Sequence, residues 1–186
     1  IILGNANLMA ENKINIEHWA ERLDEITRLG KTPMILAVSK KVMGVITVAD
    51  KVRPFVRETI ERLENLGLEV GMITGDNRHT ARAIANQIGI QMVFSEVLPG
   101  EKANEIKKMQ AKGRLVSMVG DGINDAPALS QADLGIALGS GTDVAIEASD
   151  ITLMNSDLRA VADAIELSKK TMVKIKQNLF FAFFYN

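Results

Sequence analysis

Along the first quarter of the chain the apolar positions change rhythm. Around residues 17–29, Ile16, Leu23 and Ile26 fall toward one side, the spacing of a helix with a single buried face. Asn12 or Asn15 stands before it as a cap and Gly30 after it as a stop. Residues 34–39 and 42–48 are rich in aliphatic and β-branched side chains instead, with Lys40 and Lys41 between them. That pattern predicts two strands joined by a hairpin turn. Ile1, Ile2, Leu3 and Gly4 read as the middle of a strand and a turn.

From Ala49 onward short apolar runs alternate with helical spacings. Helices are expected from Pro54 to Leu66, with the proline in the first turn where its missing N–H is harmless, and then over 78–88, 100–112, 125–131 and 143–148. Strands are expected over 69–73, 92–94, 115–119, 134–138 and 151–154. Strands separated by helices imply a parallel sheet covered on both faces. Ligands in such sheets sit beyond the carboxyl ends of the strands, and the polar motifs of this chain fall there. Asp157 caps a last, long helix whose apolar side carries Ala160, Val161, Ala164, Ile165 and Leu167. Lys169, Lys170, Lys174 and Lys176 follow, and then Leu179, Phe180, Phe181, Ala182, Phe183, Phe184 and Tyr185 before Asn186. Lysines ahead of an apolar stretch mark a cytoplasmic membrane boundary. The stretch is short of the roughly 20 residues needed to span a bilayer. Both ends of the chain read as cut from a longer protein.

Composition narrows the class. Hydrophobic residues are 47% and charged residues 24% of the 186, which excludes a disordered chain. Aromatics are only 4%, so the core is aliphatic, with nine Met as gap-fillers. A net charge of −1 makes no electrostatic case for nucleic acid. Without cysteine there is no disulfide frame and no thiolate metal site.

Three groups of residues carry chemistry. The first is Gly120, Asp121, Gly122, Ile123, Asn124, Asp125 after the strand 115–119. Two carboxylates four apart at a strand end, between glycines, make a hard-oxygen site suited to Mg²⁺, and Asn124 adds a neutral donor for a phosphoryl oxygen. The structural alternative is a glycine-rich turn with Asp125 as a helix cap. The second is Thr74, Gly75, Asp76, Asn77 after the strand 69–73; a hydroxyl and the N–H groups at a helix start cradle an anion, although the same residues form an ordinary strand-to-helix cap. The third is Lys102, which opens a helix after Leu98, Pro99, Gly100 and Glu101 and could reach a phosphate as a point charge.

A threonine, a lysine and a paired-aspartate turn, each after a strand or at a helix start, follow the order of phosphoryl-transfer residues in the haloacid-dehalogenase superfamily. Met72 to Asn77 and Val119 to Leu129 resemble P-type ATPases. Gly139, Ser140, Gly141, Thr142, Asp143, Val144, Ala145 followed by Asp150, Ile151, Thr152, Leu153, Met154 resemble their heavy-metal, CPx-type branch. Lys174, Ile175, Lys176, Gln177, Asn178 leading to Tyr185 and Asn186 resemble the copper-transporting members.

The resemblance implies a haloacid-dehalogenase-like α/β fold: residues 49–156 as a phosphorylation domain, 1–48 as the C-terminal part of a nucleotide-binding α+β domain, and 157–186 as a stalk helix and the start of a transmembrane helix. It implies ATP and Mg²⁺ as cofactors. Asp121 and Asp125 would hold the metal, Thr74, Lys102 and Asn124 would act on the phosphoryl group, and Gly4, Asn5, Gly75 and Asp76 would meet the nucleotide. Asp50 and Arg53 would pair at the hinge. Tyr185 and Asn186 would bind a transported Cu⁺, with Ag⁺ as a co-substrate. The expected partners are the rest of the same multi-pass membrane pump — its actuator domain, remaining nucleotide-binding domain and other transmembrane helices — and a metallochaperone, with this segment mostly on the cytoplasmic side. The family's phosphorylated aspartate, in an Asp-Lys-Thr-Gly-Thr segment, has no counterpart here; Asp50, Lys51 lacks the continuation. The chain alone is therefore expected to be inactive. A stand-alone phosphatase of the same superfamily and a non-catalytic nucleotide-binding module are the competing readings.

Overall fold

A computed structural model describes residues 1–48, 52–139 and 141–185. In chain order it contains β1 (Ile2–Gly4), α1 (Ala6–Glu11), α2 (Ala20–Arg28), β2 (Thr32–Val38), β3 (Lys41–Val48), α3 (Val56–Asn65), β4 (Gly71–Ile73), α4 (Arg78–Ile88), β5 (Met92–Phe94), α5 (Lys102–Gln110), β6 (Ser117–Gly120), α6 (Ala126–Gln131), β7 (Leu134–Leu138), α7 (Asp143–Glu147), β8 (Ile151–Leu153) and α8 (Arg159–Phe184). These form two compact units. One combines Ile1–Pro54 with Gly71–Glu96; the other combines Phe55–Val70 with the residues from Val97 onward.

In the first unit β1, β2 and β3 form an antiparallel sheet in that order. Its buried side chains are Met9, Ile14, Leu23, Ile35 and Ala37, with Leu8, Ile16 and Trp19 packed against them. Ile35 and Ala37, two apart on β2, point to the same side as a strand's period requires. Leu23 and Ile26, the expected apolar pair of the helix, are buried as expected. The helix itself starts later than its spacing suggested: Glu17–Trp19 is a turn of 3-10 helix, and α2 proper begins at Ala20. Asn15 does not cap it: the N-cap is Ile16, without a side-chain cap bond, and the Asn15 Oδ1 accepts from the Glu17 N–H at 2.8 Å just ahead of the turn.

The hairpin turn is one residue earlier than Lys40 and Lys41. Val38 pairs with Lys41, leaving Ser39 and Lys40 as the loop with φ of 49° and 64°. Two positive φ angles give the left-handed turn that matches strand twist. The unit also holds a parallel pair, β4 beside β5, connected through α4. Thr80, Ala81, Ala85 and Ile88 are the buried side of α4, and Gly89 closes it with φ of 89°.

In the second unit β6, β7 and β8 run parallel in that order. Ile136, Leu138 and Val161 are buried at its core, with Val119, Leu134, Leu153, Leu158 and Ile165 around them. Ile106 and Leu129 are fully buried as well. The expected parallel strands therefore occur as a pair and a triple, which are separate sheets among the described residues.

Pro54 lies before α3 rather than in its first turn, because Phe55 takes a left-handed conformation with φ of 62°. The Phe55 carbonyl then accepts from both the N–H and the hydroxyl of Thr59, at 2.9 and 2.8 Å. α8 starts as expected behind Asp157, whose Oδ1 accepts from the Arg159 N–H at 2.9 Å. It buries Val161 and Ala162, while Leu167, expected on the apolar side, is exposed. No helix among the described residues is long and apolar enough to cross a membrane.

Candidate active site

β6 ends at Gly120 and the chain turns at once. A Cβ on Gly120 would lie 2.7 Å from the Asp125 Cβ, so the turn returns close enough that only glycine fits. Ile123–Asp125 makes one 3-10 turn and α6 follows. This compact return puts Asp121 at the strand tip, half-buried, and Asp125 a few residues on, also half-buried.

The Asp125 carboxylate is the hub of the turn. Its Oδ1 accepts from the Lys102 Nζ at 2.6 Å and its Oδ2 from the Gly122 N–H at 3.3 Å. The pair is well shielded, with side chains 17% and 13% exposed for Lys102 and Asp125. Asp125 does not cap α6 with its side chain; the carboxylate faces the lysine instead. Lys102 gets there because Pro99–Glu101 forms a 3-10 turn that leads straight into α5. Asn124 is exposed in the same turn.

A loop from the neighbouring strand backs this turn. The Thr142 N–H donates to the Asp121 carbonyl at 3.1 Å, and the Gly141 N–H to the Leu138 carbonyl at 2.7 Å. Thr142 also caps α7, its hydroxyl accepting from the Ala145 N–H at 3.4 Å. The loops after two adjacent parallel strands thus meet at their carboxyl ends, where sheets of this kind bind ligands. Sequence reasoning used Gly141 and Thr142 only as marks of resemblance; the signal for a positional role was a second glycine-rich loop directly after a strand. Ser140 lies outside the described residues.

Mg²⁺ takes one or two carboxylates and completes its shell with water and phosphate oxygens. Among the described residues no three His, Asp or Glu gather as a protein cage. Asp121 at the strand tip, with Asp125 in the same turn and a lysine beside it, fits that sparse, phosphate-completed kind of site.

Thr74 belongs to the first unit, at the carboxyl end of β4. Its N–H donates to the Phe94 carbonyl at 2.9 Å. Its hydroxyl donates to Asp76 Oδ2 at 2.7 Å and accepts from the Asp76 N–H at 3.1 Å. Asn77 caps α4 through Thr80, at 3.0 Å. Gly75 is exposed between them. Gly4 and Asn5 have local duties as well: Asn5 Oδ1 accepts from the Leu8 N–H at 2.9 Å and so caps α1, an element absent from the sequence expectation. A Cβ on Gly4 would strike Leu8 Cδ2 at 2.3 Å. Tyr185 is 83% exposed at the end of α8, its ring 6.4 Å from that of Phe181. Asn186 and Asp50 lie outside the described residues.

The model of the haloacid dehalogenase-like hydrolases matches residues 1–133. The chain belongs to that family. Within these hydrolases it is similar to P-type ATPases. It is 51% identical to the copper-exporting P-type ATPase of Staphylococcus aureus strain JH9 over 187 aligned positions, covering 100% of this chain and 23% of that protein. The same figures hold for the protein of strain Newman. The chain thus spans about a quarter of the length of these relatives.

Among solved structures, a zinc-transporting PIB-type ATPase in the E2.Pi state is similar with a TM-score of 0.76 and 36% identity, over 90% of this chain and 27% of that one. The catalytic domain of the CPx-ATPase CopB-B is similar with a TM-score of 0.61 and 28% identity, over 70% of this chain and 52% of that one. This hydrolase-family chain is therefore similar, over most of its length, to part of heavy-metal P-type ATPases.

Proposed function

We propose that the chain is part of an ATP-driven heavy-metal pump that exports Cu⁺, with Ag⁺ as a second cargo, and that its strand-end loop performs Mg²⁺-dependent phosphoryl transfer. The observation that carries this reading is the turn from Gly120 to Asp125: a strand-tip aspartate, with a second aspartate in the same turn held on a shielded lysine. The 51% identity to copper-exporting pumps supports the cargo.

When bound, Mg²⁺ supplies positive charge against a transferring phosphoryl group. Asp121 would be its direct ligand, with Asp125 contributing nearby or through water. Lys102 exchanges its bond to Asp125 for phosphoryl oxygens as substrate arrives, because an ammonium group can turn among acceptors within its reach. Thr74 and Asn124 donate hydrogen bonds to the same oxygens, and Gly75 and Asp76 meet the nucleotide, as do Gly4 and Asn5. The aspartate that receives the phosphoryl group comes from another part of the pump. In domain terms, residues 1–48 complete a nucleotide-binding domain, 49–156 form the phosphorylation domain and 157–186 lead into the membrane. There Tyr185 and Asn186 contribute to the Cu⁺ path, together with softer ligands from other helices. A Cu⁺ metallochaperone and the pump's other domains are the partners.

The cargo is tested by ATP hydrolysis of the intact pump in vesicles with Cu⁺, Ag⁺ or Zn²⁺ supplied. Stimulation by Cu⁺ and Ag⁺, and its loss in Tyr185→Ala with the soluble part still folded, is the expected result. Stimulation by Zn²⁺ alone, or a Tyr185→Ala pump that responds to Cu⁺ unchanged, contradicts the assignment.

A further inference from the structure

The loop after β7 makes three anchored contacts. At its start the Gly139 N–H donates to the Asn155 carbonyl at 3.2 Å, just beyond β8. A Cβ on Gly139 would lie 2.5 Å from the Leu153 carbonyl oxygen, so this loop and the end of β8 touch backbone to backbone. At its end the Gly141 N–H is tied to the Leu138 carbonyl and the Thr142 N–H to the Asp121 carbonyl. A Cβ on Gly141 would lie 2.8 Å from the Leu138 oxygen, 3.2 Å from the Asp121 oxygen and 3.5 Å from the Asp121 Cα. A side chain at position 141 therefore meets main chain on two sides.

We infer that Gly141 and the Thr142 N–H are positioning groups for Asp121: the loop after β7 holds the main chain of Asp121 and thereby sets where its carboxylate can meet Mg²⁺. The inference rests on the reading of Asp121 as the metal ligand. The turn that carries Asp121 is built on glycines, which do not hold a geometry by themselves. The Thr142 N–H adds a restraint on the Asp121 main chain, and the Gly139 N–H ties the start of the same loop to Asn155. An alanine at position 141 has backbone on two sides, Leu138 and Asp121. Leu138 is buried in the core strand, so we expect the strain to fall on the loop and on the Asp121 main chain it touches. Groups that orient a metal ligand from behind change metal affinity by about 10–100-fold when altered.

The test uses the intact pump with Mn²⁺ as a spectroscopic substitute for Mg²⁺. Mn²⁺ binding is followed by electron paramagnetic resonance, and phosphoenzyme is titrated against Mg²⁺. In Gly141→Ala, Mn²⁺ affinity falls about 10–100-fold, and the phosphoenzyme level returns at saturating Mg²⁺. Gly44→Ala, where a Cβ meets open space, leaves both unchanged. Wild-type Mn²⁺ affinity in Gly141→Ala, with Asp121→Asn still deficient, overturns the positioning role and keeps the metal site. Wild-type affinity in Asp121→Asn overturns the metal site itself, and the inference with it. Hydrogen exchange of the unaltered pump decides independently of whether Gly141→Ala folds: the Thr142 amide is protected if it is bonded to Asp121, and exchange at the free-peptide rate refutes the inference.

Discussion

At the scale of single residues, the Lys102–Asp125 pair defines the site more sharply than either residue alone. Both side chains are shielded, and the lysine spans two elements to reach a carboxylate that a glycine turn has folded back. Removing one partner leaves a poorly solvated charge. Lys102→Ala should lower the unfolding free energy by about 1–3 kcal/mol, and Lys102→Ala combined with Asp125→Ala should recover part of that loss. Urea unfolding of the unaltered protein, Lys102→Ala, Asp125→Ala and the double variant measures the coupling. The residue types and order of this site were legible in the sequence: Asp121, Asp125 and Lys102 stand where a strand end and a helix start were expected. Their partnership was not legible, because Lys102 and Asp125 are 23 positions apart and only the folded chain brings them within 2.6 Å. The restraint of Asp121 by Thr142 was hidden for the same reason: the hydrogen bond is made by a backbone N–H that every non-proline residue possesses.

Among the elements, α3 and α8 show how polar contacts fasten a long helix. The Arg62 guanidinium takes Asp163 at 2.7 Å and Glu166 at 2.8 Å, both on α8. Lys169 reaches the Leu66 carbonyl at the end of α3, and Arg159 lies 4.0 Å over the Phe55 ring at its start. The hydrogen bond from Arg62 holds the Glu166 carboxyl below the ordinary glutamate range, with the charges of Arg62 and Lys170 adding to it against the opposing effect of burial. A carboxyl depressed by folding stabilises the fold above its unfolded pKa, near 4.3, and the contribution is lost as pH falls through the folded value. The docking of α8 should therefore loosen below about pH 4.3, seen as faster hydrogen exchange in its first three turns. Glu166→Gln should weaken docking at neutral pH and flatten that acid dependence.

The Ser39–Lys40 turn belongs to this scale too. A non-glycine residue at positive φ is strained by about 1–2 kcal/mol, so Lys40→Gly should raise stability by about 0.5–1 kcal/mol, measurable by thermal unfolding. Apolar spacing announced most strands and helices. It misplaced the hairpin turn by one residue because Lys40 and Lys41 look alike in composition, and φ decides between them. It missed α1, which has one buried residue, Met9, in its six, too few to leave a period.

For the whole molecule, belonging to the haloacid dehalogenase-like hydrolases fixes the catalytic architecture, and the whole chain is similar to about a quarter of the length of copper-exporting P-type ATPases. The last turns of α8 expose Phe180, Phe181, Phe183, Phe184 and Tyr185 together, which a water-facing surface does not favour; the membrane boundary proposed above would cover them. The two compact units each carry part of the proposed machinery: Thr74 and Asp76 in one, Lys102, Asp121, Asn124 and Asp125 in the other. Phosphoryl transfer needs these groups on one phosphate at hydrogen-bond distances of about 3 Å.

Everything converges on the strand-tip aspartate. The most direct measurement is phosphoenzyme formed by the intact pump from ATP labelled at the γ-phosphate, in the presence of Mg²⁺, with and without Asp121→Asn. The account predicts a labelled wild-type protein and no detectable label in the variant at any Mg²⁺ concentration. A variant that labels to the wild-type level would contradict it.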